Sequence, residues 1–251
     1  MIDLNSKVAL ITGGSGGIGA ACVKLFAESN ARVAFTYNSN PQAAYRMEKK
    51  LSSISKVKSY KIDLTKLNRI EKTVAGIISD FGRIDILVNN AGIWKFGSAD
   101  EMELGEWEET IKINLTSTFL FTKFVIPYMK KNKFGRIINI ASTAGQRGEP
   151  YYSHYAASKG GMISFTKSLA AELGGYNITI NSVAPGWVET GMTEKAFSDK
   201  KYKEKIKREI PVKRIAAPED IAGPVLFLAS DLARHVNGEI LNVNGGSVLC
   251  G

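Results

Sequence analysis

Cysteine and long apolar runs are both scarce in this chain. It has only two cysteines, Cys22 and Cys250, so it offers neither a disulfide framework nor a zinc-ligand spacing. No apolar run approaches the roughly 20 residues of a membrane span. We therefore expect no membrane partner. No basic region precedes an apolar core at the start of the sequence, so we also expect no signal peptide. These absences predict a reducing, cytoplasmic setting in which Cys22 is a small core residue.

Acidic residues are fewer than basic ones. The chain has 24 aspartates and glutamates against 33 lysines and arginines, which gives a net charge of +9. Such an excess suits nucleic acid, anionic substrates or general solubility. The dense basic clusters at residues 130–133 and 200–205 lack the repeated stacking aromatics of a nucleic-acid groove. We therefore expect no nucleic-acid partner, and solvated helix ends remain an alternative for both clusters.

Short apolar runs alternate with amphipathic stretches along the whole chain, without a linker or a repeat. Seven runs are predicted as strands, at residues 7–12, 32–37, 56–62, 85–89, 135–140, 177–183 and 239–243. The intervals carry helical periodicity, including one long predicted helix at 106–131. This alternation predicts a single α/β domain over residues 1–251, doubly wound, with a parallel sheet of about seven strands flanked by helices. The polar, charged stretch at 188–210 is expected to form a mobile substrate lid.

A glycine-rich turn follows the first predicted strand. Residues 12–19 read Thr-Gly-Gly-Ser-Gly-Gly-Ile-Gly and lead into an amphipathic helix, which is the context of a dinucleotide fingerprint. Glycine lets the backbone approach a pyrophosphate, and a helix N-terminus offers unpaired N–H groups. A tight loop could also need these glycines for steric reasons alone. The turn favours a Rossmann-type nucleotide site and lacks the Gly-Lys-Ser/Thr ending of a P-loop.

The ends of the second and third predicted strands bear on the choice of nucleotide. An NAD site usually places an acid at the end of the second strand, whereas this chain has Tyr37, Asn38 and Ser39 there. A 2′-phosphate would not be repelled, which favours NADP(H). NAD(H) stays possible because no arginine stands there either. Asp63, after the third strand, could bind the adenine amino group or cap the next helix.

A tyrosine and a lysine four residues apart supply candidate chemistry. Tyr155 and Lys159 project from one face of a predicted helix. The pKa of a free phenol is about 10, and a nearby ammonium would lower it. The pair is therefore a candidate general acid/base, with a solvated helix face as the alternative. Ser142 follows the fifth strand, and Asn114 lies within the long predicted helix as either a site residue or an exposed polar one.

Together these residues resemble the short-chain dehydrogenases/reductases over essentially the whole chain. The resemblance rests on the 12–19 turn, Asp63, Asn89-Asn90-Ala91-Gly92, Asn114, Ser142, Tyr155-x-x-x-Lys159, Pro185-Gly186 and Thr190. It implies hydride transfer at a carbonyl, with Tyr155 as the acid/base, Lys159 lowering its pKa and Ser142 polarising the carbonyl. Asn114 would hold a water, and no metal is implied. The cofactor residues that it implies are Gly13, Ser15, Gly17, Ile18, Gly19, Tyr37, Asn38, Ser39, Asp63, Leu64, Asn90, Ala91, Gly92, Tyr155, Lys159, Pro185, Gly186, Val188 and Thr190.

Within that family the chain looks most like the bacterial reductases of 3-oxoacyl thioesters in fatty-acid synthesis. The segments at 210–214, 218–221, 227–231 and 243–246 carry this likeness. It implies a small-molecule substrate or one linked to an acyl carrier protein, with a small alcohol, sugar or polyol as the alternative. Gly16 and Tyr176 depart from that group, which often has arginine at both positions.

The resemblance also implies assembly and docking surfaces. Relatives pair the helix at 106–131 and the Tyr155 helix across a two-fold axis and use the last strand, so we expect a homotetramer. The apolar residues behind this expectation are Phe119, Phe121, Phe124, Phe165 and Leu169. An acidic carrier protein would need a basic surface beside the mouth of the site, and Lys130, Lys131 and Lys133 are expected there. Lysines that merely complement a helix dipole are the alternative.

Overall fold

Seven parallel strands form one sheet in the computed structural model, which describes residues 2–250. The strands are β1 Val8–Ile11, β2 Arg32–Tyr37, β3 Val57–Lys61, β4 Ile86–Asn89, β5 Gly135–Ile140, β6 Ile178–Pro185 and β7 Ile240–Val243. Their spatial order is β3-β2-β1-β4-β5-β6-β7, and every neighbouring pair is parallel. Strands β2 and β3 lie on one side of β1, and β4 to β7 lie on the other. The point where the strand order reverses is therefore between β1 and β4. In such sheets a crevice opens at this switch point, beyond the carboxyl ends of the strands.

Helices cover both faces of the sheet. They are α1 Gly17–Glu28, α2 Pro41–Leu51, α3 Ile70–Phe81, α4 Leu104–Ile111, α5 Ser117–Asn132, α6 Ala144–Arg147, α7 Ser153–Leu173, α8 Glu194–Phe197, α9 Lys200–Glu209 and α10 Pro218–Ala229. Side chains of β1 point to alternate faces, as its pleat requires. Ala9 and Ile11 pack in the cluster with α1 and α10, and Leu10 packs with the residues of α3 and α5. The predicted doubly wound α/β fold is confirmed.

The chain is helical throughout the predicted helix at 106–131, but one turn within it is not α-helical. Between α4 and α5 the chain forms a π-helical turn at Lys112–Thr116. The Ser117 hydroxyl donates to the Ile113 carbonyl at 2.5 Å, and the Thr118 hydroxyl donates to the Asn114 carbonyl at 2.9 Å. Hydroxyl side chains that compete for backbone carbonyls disturb regular helices in this way, and π-helical turns are frequent at functional sites. The turn holds Asn114 beneath the crevice.

The expected lid at 188–210 has regular structure of its own. It contains α8 and α9, and the Asp199 carboxylate caps α9 by accepting from Lys201 N at 2.8 Å. Ile206 and Ile210 form a small apolar cluster with Trp187 and Phe197. In the structure this segment consists of packed helices, and we call it the flap. Its mobility stays a prediction.

Two other expectations need correction. Phe121 was expected to contribute to an exposed apolar surface, but it is 1% exposed and packs in the chain's own core. Lys130, Lys131 and Lys133 were expected beside the mouth of the site, but they lie where α5 ends and β5 is about to begin. The 16 residues from Asn114 to Lys130 span about 24 Å at 1.5 Å each. Within one protomer this cluster therefore lies at the end of the sheet where the strands begin, away from the crevice at their carboxyl ends.

Two findings complete the description of residues 2–250. Among these residues, no helix combines the length and apolar character that crossing a bilayer requires. Nor do they contain three or more histidine, cysteine or acidic side chains grouped so as to hold a metal ion. Cys22 is fully buried as a free thiol, and burial raises its pKa to about 12. It is the core residue that its position in α1 predicted.

Candidate active site

The glycine turn after β1 has a backbone that other residues would not tolerate. Gly13 and Gly17 have φ values of +68° and +52°, in the left-handed region that glycine favours. A methyl group on Gly19 would lie 2.3 Å from the Gly13 carbonyl oxygen. No side chain caps the N-terminus of α1, and its first turn has no acidic residue. The unpaired N–H groups of this helix are therefore open to an anion.

Asn90 fastens this turn to the loop after β4. Its side-chain amide donates to the Thr12 carbonyl at 2.9 Å. In return the Thr12 hydroxyl oxygen accepts from the backbone N–H groups of Asn90 and Ala91, at 2.9 and 3.0 Å. The two loops are held as one rigid floor at the carboxyl ends of β1 and β4.

Asp63 does not cap the helix after β3. Its carboxylate accepts from the backbone N–H and the hydroxyl of Thr65, at 2.9 and 2.7 Å. The next helical turn begins only at Leu67, with Lys66 in the capping position. The Thr65 hydrogen bonds lower the pKa of Asp63. The side chain is therefore an ionised acceptor that lines the crevice, and its contact with adenine stays a prediction.

Tyr155 and Lys159 lie one turn apart near the start of α7. Lys159 is buried, and its ammonium donates to the Ile140 carbonyl at 2.6 Å. Burial lowers the pKa of Lys159 to about 8. Burial also raises the pKa of Tyr155 to about 12; Ser142 opposes this rise and Glu149 adds to it. The Lys159 ammonium is engaged with Ile140 and lies 5.8 Å from the Tyr155 ring centre, and the expected lowering of the Tyr155 pKa by Lys159 stays a prediction.

Asn114 is fully buried, so the reading of an exposed polar residue is wrong. Its side-chain oxygen accepts from Ile93 N at 2.8 Å, and its amide donates to the Ile93 carbonyl at 3.0 Å. The same amide donates to the Ser158 hydroxyl at 3.1 Å. Asn114 thus joins the loop after β4 to α7, the helix that carries Tyr155.

One cleft of about 580 Å³ runs across the carboxyl ends of the strands. All candidate cofactor residues except Gly19 line it, as do Ser142, Tyr155 and Lys159. Asn114 lies behind its wall. We call the part at Gly13, Tyr37 and Asp63 the nucleotide end, and the part at Ser142, Tyr155 and Glu149 the carbonyl end.

Comparison with known proteins identifies the family. A family model described as enoyl-(acyl carrier protein) reductase matches residues 13–247. The 3-oxoacyl-[acyl-carrier-protein] reductase of Thermotoga maritima is 40% identical, over 98% of this chain and 99% of that protein. The corresponding Aquifex aeolicus reductase is 41% identical over 98% of both. The chain belongs to the short-chain dehydrogenase/reductase family.

Solved structures of this family agree with the fold. A protein provisionally described as an NAD(P)-dependent gluconate 5-dehydrogenase, from Beutenbergia cavernae with NADP bound at low occupancy, superposes with a TM-score of 0.92. It is 33% identical, with 98% of each chain covered. Levodione reductase is 32% identical with a TM-score of 0.92, over 96% of this chain and 97% of that one. This short-chain dehydrogenase/reductase is therefore a nicotinamide-dependent oxidoreductase.

The nucleotide end fits the nicotinamide dinucleotide that the family uses. Its glycine turn is too tight for side chains, since a methyl group on Gly14 would lie 2.6 Å from Phe35 Cβ and one on Gly19 would strike the Gly13 carbonyl. The open N-terminus of α1 suits a pyrophosphate. Thr190 lies directly over Gly17, 3.2 Å from where a methyl group would stand. The flap therefore reaches the glycine turn and borders the nucleotide end at Thr190.

The carbonyl end contains residues that sequence reasoning missed. Trp94 stacks on Tyr152 with ring centres 4.4 Å apart and planes within 4°. Trp187 meets Trp94 edge-on at 5.7 Å. Glu149 and Arg147 come from the loop after β5 and also line the cleft. The available signal was position, since Trp94, Glu149 and Trp187 all follow the carboxyl ends of strands, where such sheets bind ligands.

Proposed function

We propose that the protein uses NADPH to reduce a 3-oxoacyl thioester, carried by an acyl carrier protein, to the 3-hydroxyacyl form in fatty-acid synthesis. The observation that carries this proposal is the junction of the two ends of the cleft, where Ser142, Tyr155 and Lys159 line one space. Its support from comparison is the full-length similarity to 3-oxoacyl-[acyl-carrier-protein] reductases. The cytoplasmic setting stays a prediction.

The proposed reaction assigns a role to each side chain at the junction. NADPH, when bound, would supply the hydride for the carbonyl carbon. Tyr155, which its raised pKa keeps protonated at neutral pH, gives its proton to the carbonyl oxygen, so that the C=O group becomes CH–OH. Ser142 donates a hydrogen bond to that oxygen and polarises the carbonyl. The Lys159 ammonium holds the nicotinamide ribose and stabilises the phenolate that Tyr155 leaves behind.

The preference for NADPH rests on the tip of β2. Tyr37 ends that strand without a carboxylate, and exposed Asn38 and Ser39 follow it. On the neighbouring strand the exposed residue Lys61 is in register with Tyr37. A 2′-phosphate would meet polar groups and one cation there, and no acid ends β2 to repel it.

A basic flap helix supports a carrier-linked substrate. In α9, Lys200, Lys201 and Arg208 are exposed, and among residues 2–250 they form no ion pair within 4 Å. The helix lies at the mouth of the cleft, because Tyr202 meets Trp187 edge-on at 6.1 Å. A negatively charged carrier would be steered towards this helix.

We retain the homotetramer as part of the proposal. Phe119 is 45% exposed and contacts Phe165 edge-to-face at 6.3 Å, which forms an apolar surface across α5 and α7. β7 is an edge strand with an open side. Antiparallel pairing of α5 across a two-fold axis would bring the basic end of one helix towards the cleft end of the other. Light scattering should give four times the mass of 27.3 kDa, and a stable monomer at micromolar concentration would contradict this.

A small polyol or sugar is the second candidate substrate, favoured by the likeness to two proteins provisionally described as gluconate dehydrogenases. One assay separates the two functions. Purified protein is offered acetoacetyl thioesters with NADPH or NADH, and polyols and gluconate with NADP⁺ or NAD⁺, while absorbance at 340 nm is followed. The proposal expects the thioester with NADPH to be turned over fastest. Faster oxidation of a polyol with NAD⁺ would replace the proposal with the second candidate.

A further inference from the structure

Glu149 lies in the cleft as a carboxylate short of hydrogen-bond donors. Its Oε2 atom accepts one long hydrogen bond, from the Trp94 indole N–H at 3.3 Å. Among residues 2–250 it has no other hydrogen bond and no ion pair within 4 Å. A carboxylate offers about four acceptor sites. Most of the capacity of this group is therefore unused by the folded chain.

Glu149 is half-buried in the cleft, and the Trp94 indole is its single side-chain hydrogen-bond donor among residues 2–250. Burial raises its pKa, against the opposing effects of the Trp94 bond and the Arg147 charge. Burial also raises the pKa values of Tyr152, Tyr155 and Tyr202, and the Glu149 carboxylate adds to the rise in all three. It thus lies within electrostatic reach of both the reacting phenol and the flap helix α9. Glu149 and Tyr155 line the same cleft, so a substrate held at Tyr155 can reach this carboxylate.

The surrounding aromatic rings hold Glu149 and its neighbours in place. Trp94 is fixed by its stack on Tyr152 and by the edge of Trp187, and its N–H group points to the carboxylate. Two flat indole rings form walls against which a carbon chain can pack. A partly buried carboxylate with a single long hydrogen bond is poorly satisfied, so the arrangement favours a ligand that brings a further donor to Glu149.

We propose that Glu149 binds the substrate by accepting a hydrogen bond from an N–H or O–H group a few atoms beyond the reacting carbonyl. The donor could come from two sources. One is the amide in the arm through which a carrier protein holds its thioester, and for this source the inference rests on the proposed function. The other source is the hydroxyl of a small hydroxyketone. Arg147 is the competing internal partner, since it lies two residues away and lines the same cleft.

Two pairs of substrates that differ by a single donor test the inference. The first pair is the acetoacetyl thioester of N-acetylcysteamine and its ester analogue, in which oxygen replaces the amide N–H. The second pair is 4-hydroxy-2-butanone and 2-pentanone. Wild-type kcat/KM should favour the donor-bearing member of one pair by roughly 10- to 100-fold, the range for hydrogen bonds to a charged group. The pair that shows the preference identifies the source.

Three variants connect the preference to Glu149. Glu149→Met has a similar length and no acceptor, and should bring the ratio close to one. Glu149→Gln retains one acceptor oxygen and should keep part of the preference. Glu172→Met removes the same charge from the exposed far part of α7 and should leave the ratio unchanged. Equal rates within both wild-type pairs, or a preference that survives in Glu149→Met, would overturn the inference.

Binding keeps the inference testable if turnover fails. Two of the three tryptophans, Trp94 and Trp187, line the cleft, so indole fluorescence reports ligand binding. The amide and ester forms of the 3-hydroxybutyryl thioester are titrated into the NADP⁺-bound protein. Tighter binding of the amide form that is lost in Glu149→Met supports the role of Glu149 even if no thioester is reduced, an outcome that would remove the proposed function. Equal binding of both forms in the wild type would overturn the inference.

Discussion

The two ends of the cleft are built in different ways. The nucleotide end is mostly backbone, because its tight turn leaves no room for side chains at Gly13, Gly17 and Gly19. The carbonyl end is made of large side chains from separate loops, such as Trp94, Glu149 and Trp187. A surface of bare backbone is determined by a short motif, whereas a surface of side chains depends on how distant loops pack. One scaffold can therefore retain its cofactor while its substrate changes.

The electrostatics of the two ends differ in the same way. At the nucleotide end Asp63 keeps a lowered pKa in a water-exposed turn. At the carbonyl end burial moves the pKa of Lys159 down to about 8 and that of Tyr155 up to about 12. Shifted values of this kind accompany proton transfer. Four predictions test this division of labour, in order of decreasing expected effect.

Tyr155→Phe should give the largest difference between the two ends, because it should lower the rate of reduction and leave cofactor binding intact. The variant removes the proton donor and retains the ring, so the rate of reduction should fall roughly 10²- to 10⁴-fold. NADPH affinity, measured by cofactor fluorescence, should stay within about twofold, because the nucleotide end is unchanged. Turnover near the wild-type rate would remove Tyr155 as the acid.

The pH dependence of reduction should follow Lys159. Both Lys159 and Tyr155 act in their protonated forms, and Lys159 loses its proton first because its pKa is about 8 and that of Tyr155 is about 12. The value of kcat/KM should therefore be level below about pH 7 and fall above about pH 8, by up to roughly tenfold per unit. Lys159→Arg, which keeps its charge at high pH, should lose this fall. A fall that persists in that variant would assign the titration to another group.

Tyr37→Asp should alter the nucleotide end alone. A carboxylate at this tip repels a 2′-phosphate and binds ribose hydroxyls, so preference should move towards NADH by roughly tenfold, a difference of about 1.4 kcal/mol. Gly16→Arg should act in the opposite direction, since a side chain at Gly16 meets no atom within 4 Å. The ratio of kcat/KM for the two cofactors is the measurement. A wild type that already prefers NADH would contradict the assignment.

Charge reversal on α9 should give the smallest effect. Lys200→Glu with Lys201→Glu should raise KM for a carrier-linked substrate by roughly three- to tenfold at low salt, and the effect should vanish at high salt. Acidic residues suit the N-terminus of a helix, so α9 should remain folded. The matched control reverses exposed Lys49 and Lys50 at the end of α2. An equal loss in both variants, or on a small acetoacetyl thioester, would exclude docking at α9.

Sequence patterns predicted most of the nucleotide end and little of the carbonyl end. Local backbone geometry requires glycine at residues 13, 17 and 19, so the spacing of these glycines in the sequence is enough to predict the turn. The burial of Asn114 depends on a π-helical turn that hydroxyls of the following residues stabilise, and helical periodicity does not report such a turn. The pKa of Tyr155 depends on how deeply α7 is buried, which the spacing of Tyr155 and Lys159 does not reveal. Glu149 and the indole rings meet only after three loops have folded together.

A crystal structure with NADP⁺ and a 3-hydroxybutyryl thioester tests the division of the cleft most directly. The account predicts the pyrophosphate over the glycine turn at the N-terminus of α1, with the 2′-phosphate beside Tyr37. It predicts the 3-hydroxyl oxygen within hydrogen-bond distance of both Tyr155 and Ser142, and the thioester lying in the carbonyl end beside Trp94 and Glu149. A thioester bound outside the carbonyl end, or a hydroxyl that contacts neither Tyr155 nor Ser142, would contradict the account.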